Sequence, residues 1–132
     1  MGAYGADPCP ADCRAADLMA DVEACILEIL TMPRDRLKTA VDVADMRNRI
    51  AKEFPDRNPW EMKHVRGGLI DIEFIAQYLQ LLHGAEHPEV LNTHTRTSLE
   101  AVAAARLLPT AQVDELIAGL EINHNLTLFF FF

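Results

Sequence analysis

Apolar residues recur along most of this chain at the three- and four-residue spacing of a helix. Leu18, Val22, Cys25, Ile26 and Ile29 predict a first helix over 17–30, ended by Met32-Pro33. Pro33 suits the opening of the next helix, predicted over 34–53. There Leu37, Ala40, Val41, Ala44 and Ala51 share one side, widened by Val43 and Ile50, while Lys38, Asp42, Asp45, Arg49 and Lys52 take the other. A third helix, over 69–83, is apolar around most of its circumference, which predicts a place at the centre of a small domain. Its one narrow polar stripe is Glu73, Gln77 and Gln80. Thr95 is placed to cap a fourth helix covering Leu99, Val102, Ala103 and Leu107, and Val113, Leu116, Ile117 and Leu120 outline a fifth. Between the second and third helices, Trp60, Met62 and Val65 alternate with polar residues and predict a short extended piece. The expected fold is all-α, about five helices in a small bundle. A loose lead-in over 1–15 precedes a helical domain over 16–128, and an irregular Phe-rich end follows over 129–132.

Two residues break this pattern. Arg47 projects from the middle of the apolar side of the second helix. Asp71 falls among Ile75, Tyr78 and Leu82, on the side of the third helix expected to be buried. A buried charge without a partner is costly, so the two are expected to meet as a structural ion pair or to converge on a shared ligand. Glu73 sits on the opposite, wettable stripe. On a helix, residues two apart point about 200° away from each other, so Asp71 and Glu73 are not expected to grip one metal ion.

Ahead of the third helix stands Lys63-His64-Val65-Arg66-Gly67-Gly68. The double glycine lets the chain bend sharply, and the helix amides beyond it suit an anion. Charge sharpens that expectation. The 132 residues carry a formal net charge of −8, yet residues 34–66 hold nine of the twelve basic residues against six acids. An anion is therefore expected to approach here, while the acidic balance of the whole argues against nonspecific nucleic-acid binding. Cys9, Cys13 and Cys25 lack paired Cys-x-x-Cys spacing and read as free thiols in a reducing cytoplasm. No signal peptide or membrane-spanning run is expected. His83 and His87 make only a weak metal pair. Ser98, the one serine, has no His–carboxylate arrangement near it, and the chain has no phosphate-binding Gly-x-Gly-x-x-Gly or Gly-Lys-Ser/Thr loop. On its own residues the chain is not a complete enzyme.

Several runs taken together resemble the bifunctional glutamine synthetase adenylyltransferase/adenylyl-removing enzymes. They are Met46-Arg47-x-Arg49-Ile50, Pro59-Trp60-x-x-Lys63, and Arg66-Gly67-Gly68-Leu69-x-Asp71-Ile72-Glu73-Phe74-Ile75-Ala76-Gln77, followed by His87-Pro88 and by Thr95 ahead of Leu99. The likeness covers about 17–126 and is closest to the C-terminal half of those enzymes. A weaker likeness, to PII uridylyltransferases, extends over Lys63 and Gly67 to Asp71. The resemblance implies the helical domain that follows a nucleotidyltransferase domain. Full-length members use ATP and Mg²⁺ to adenylylate glutamine synthetase and also remove the group, under control of glutamine and the PII signalling protein. The family's Gly-Ser loop and Asp-x-Asp pair do not occur in this sequence. The resemblance therefore implies a supporting role, with the nucleotidyltransferase domain, glutamine synthetase and PII as partners, no nucleic acid and no membrane. Lys63, Arg66, Gly67, Gly68 and Glu73 become candidates for contact with nucleotide phosphate or with the domain junction, and Arg47 and Asp71 for the brace behind them. Two features depart from the family: Arg106 stands at a turn position where glycine is usual, and Phe129 to Phe132 replace a continuing amphipathic helix. The alternative reading is a stand-alone α-helical interaction module without catalysis.

Overall fold

A computed structural model describes residues 10–55 and 63–131; Pro59, Trp60 and Met62 lie outside the described residues, and so does most of the expected extended piece. Among the described residues the chain is all-α. The order is α1 (Pro10–Leu30), α2 (Arg36–Glu53), α3 (Leu69–His83), a 3₁₀ turn (Pro88–Val90), α4 (Thr95–Ala104) and α5 (Thr110–Phe131). Residues 63–68 form turns and bends, and no strand occurs among the described residues.

Local chemistry sets the ends of these helices. α2 begins at Arg36, later than Pro33 suggests, because the Asp35 carboxylate accepts the Lys38 N–H at 2.6 Å and satisfies a free helix amide. Thr95 does not cap α4. It is the first helical residue, and His94 takes the cap position without a side-chain bond. The reason lies one step upstream, where Asn92 Oδ1 accepts the His94 N–H at 2.8 Å and turns the chain before the helix starts. The Phe-rich end is not irregular up to Phe131: α5 runs on through that residue. Past Gly119 no glycine or proline interrupts it, so nothing in the sequence breaks the helix.

The core forms where α3, α4, α5 and the 3₁₀ turn meet. Ile72, Ala76 and Leu79 of α3 pack with Val90, Leu99, Val102, Val113 and Leu120. This corrects one expectation. The side of α3 that bears Asp71 is not the core side, and Ile75 beside it is 39 % exposed. A helix apolar nearly all round cannot show by periodicity which side will meet its neighbours. α5 approaches α3 closely: a Cβ on Gly119 would stand 3.2 Å from Ile72 Cδ1. Arg96 of α4 pairs with Glu121 of α5 at the edge of this core.

α2 lies antiparallel to α3. Arg47 meets Asp71 near the start of α3, and the Arg36 charge reaches His83 at its end. His83 is held below the ordinary histidine value, first by burial and then by Arg36. Yet α2 buries no residue, and α1 forms no packed interface with another described helix. The apolar stripes of both stay open: Leu18 is 64 % exposed, Ile26 51 % and Leu37 76 %.

α4 ends in a Schellman turn. Leu107 N–H donates to Val102 O and Arg106 N–H to Ala103 O, which places Arg106 at φ +57°. A non-glycine residue there is strained by about 1 kcal/mol. Arg106→Gly is expected to stabilise the chain by roughly 0.5–1 kcal/mol despite the extra freedom of the unfolded glycine. Urea unfolding measures it. A loss of stability would mean that the arginine side chain supplies a contact worth more than the strain.

Candidate functional site

The candidate site is the turn that launches α3 together with the side of α2 behind it. Gly67 adopts φ +76°, a conformation open to glycine at little cost, and Gly68 takes the N-cap position of α3 in extended backbone. Gly68 carries no side chain, so the first turn of α3 is closed from further along. Asp71 reaches back, and its Oδ2 accepts the Gly67 N–H at 2.6 Å. Its Oδ1 accepts from Arg47 Nε. Arg47 Nη2 in turn donates to the His64 carbonyl at 3.1 Å. Ile70 N–H reaches the Lys63 carbonyl at 3.2 Å and Gly68 N–H that of Val65 at 2.9 Å. One ion pair thereby holds both ends of the 63–68 turn and fixes α2 to α3. The charged groups are mostly but not wholly covered, at 17 % and 22 % side-chain exposure.

His64 and Phe54 complete the site, and no sequence pattern singled them out. Their rings stack, with centroids 4.6 Å apart and planes inclined by 19°. His64 Nδ1 is buried without a hydrogen-bond partner. Both line an open cleft of about 750 Å³ between α2 and α3, walled by Ala40, Ala44, Phe74 and Tyr78 and floored by Arg47 and Asp71.

Of the other candidate residues, Lys63 and Arg66 are exposed on the turn and form no ion pair with a described residue. Glu73 is not with them. It points to the far side of α3, half-covered, where it borders a cavity of about 250 Å³ with His94, Arg96 and His124. The expected wettable stripe is thus partly roofed by the α4–α5 side.

A magnesium–nucleotide site needs several carboxylates converging on one point. Asp71 is committed to Arg47 and to a backbone amide, and Glu73 faces the other way. Among the described residues no group of three or more His, Cys, Asp or Glu side chains is arranged to hold a metal ion. These residues do not fit the metal that the family resemblance implies. No helix among the described residues is long and apolar enough to cross a membrane.

The family of this helical domain, with its ion-braced Gly-Gly turn ahead of α3, is given by comparison with known sequences. The family model for GlnD PII-uridylyltransferase matches residues 42–127, and the chain belongs to that family. Its relatives include bifunctional glutamine synthetase adenylyltransferase/adenylyl-removing enzymes. The chain is 41 % identical to that of Rhodopseudomonas palustris (strain BisB5) over 106 residues, which is 80 % of this chain and 11 % of the relative. It is 39 % identical to that of Bradyrhizobium diazoefficiens over 113 residues, 86 % of this chain and 11 % of the relative. The chain thus spans about a ninth of the length of these relatives. No solved structure matches it.

The brace makes a quantitative prediction. Arg47→Met or Asp71→Leu alone leaves a largely covered charge without its partner and is expected to destabilise by about 2–3 kcal/mol, below the full cost for a deeply buried pair because a fifth of each group meets water. The double replacement is expected to recover more than half of the summed loss in a double-mutant cycle. Strictly additive losses would show that the two charges are not coupled.

Proposed function

We propose that the chain serves as the helical domain of an enzyme that adenylylates and deadenylylates glutamine synthetase. In this reading it supports a nucleotidyltransferase domain and carries no complete active site itself. The observation that carries the reading is the identity to adenylyltransferases over most of the chain, with the Arg47–Asp71–Gly67 arrangement inside the matched stretch. Lys63 and Arg66 stand exposed on the braced turn, available to nucleotide phosphate or to the adjoining domain. Charge-assisted contacts of that kind help position a transferring phosphoryl group. Mg²⁺ and ATP belong to the partner domain in this reading. PII and glutamine are its regulators, and the compartment is the cytoplasm.

The second reading, a stand-alone helical interaction module, is favoured by the open apolar stripes of α1 and α2. Exchange into a relative separates the two. The chain is placed in the Rhodopseudomonas palustris enzyme in lieu of the matching segment, and Mg-ATP-dependent labelling of glutamine synthetase is followed. The chimera is expected to label, and Lys63→Ala with Arg66→Ala to slow it by about tenfold or more, the worth of one charge-assisted contact. The 132-residue chain alone is expected to give no label. Labelling by the chain alone, or a folded chimera without activity, would contradict the supporting role.

A further inference from the structure

We draw no further inference here: the strongest candidate, the open apolar cleft between α2 and α3 that is floored by Arg47 and Asp71, carries no proposal because nothing in the structure shows what covers it.

Discussion

The Arg47–Asp71 pair is the contact on which the two halves of this chain depend. α3, α4 and α5 share a packed apolar core that needs no help from α2. α2 has no fully buried residue, and Ala40, Val43 and Ile50 are only part-covered, so burial fixes it less firmly than it fixes the core helices. What it has instead is one guanidinium directed at two targets, the Asp71 carboxylate and the His64 carbonyl. Because Asp71 also accepts the Gly67 N–H, the same carboxylate closes the turn into α3. Charge-assisted hydrogen bonds are directional, and this set defines an angle and a register that apolar contact alone would leave loose.

This arrangement explains why the basic turn is exposed without being free to wander. Lys63 and Arg66 stand on a segment tied at its carbonyls by Arg47 and by the first amides of α3. The backbone is fixed while the cationic side chains face outward. A phosphate or an acidic surface meeting them would find their backbone already ordered, which lowers part of the ordering cost of binding. The same economy separates the acids. Asp71 is tied to Arg47 and to the Gly67 N–H, and Glu73 borders the cavity on the α4–α5 side, so the two carboxylates face different sides of α3.

Much of this was legible in the chain itself. α3 runs over the residues its apolar pattern predicts, and the ion pair announced itself because two charges sat on otherwise apolar helical sides. Arg106 takes the left-handed backbone that glycine adopts most readily. Other features were not legible, for physical reasons. The core side of α3 could not be chosen, because Ile72 and Ile75 are equally apolar and only the tertiary partners of each distinguish them. The start of α4 was misplaced by one residue because the deciding hydrogen bond comes from Asn92, outside the helix. The stacking of His64 on Phe54 joins residues across a loop and leaves no periodic trace. Nor could periodicity reveal that the stripe of α1 goes uncovered, since an amphipathic pattern records that a helix needs a partner and not where the partner is.

Hydrogen exchange read helix by helix tests the brace most directly. In Asp71→Asn, which keeps the shape of the side chain and removes its charge, amides of α2 and of the 63–68 turn are expected to lose protection while those of α3, α4 and α5 keep most of theirs. Equal loss across all five helices, or no change in α2, would contradict the claim that this one carboxylate fastens α2 to the core.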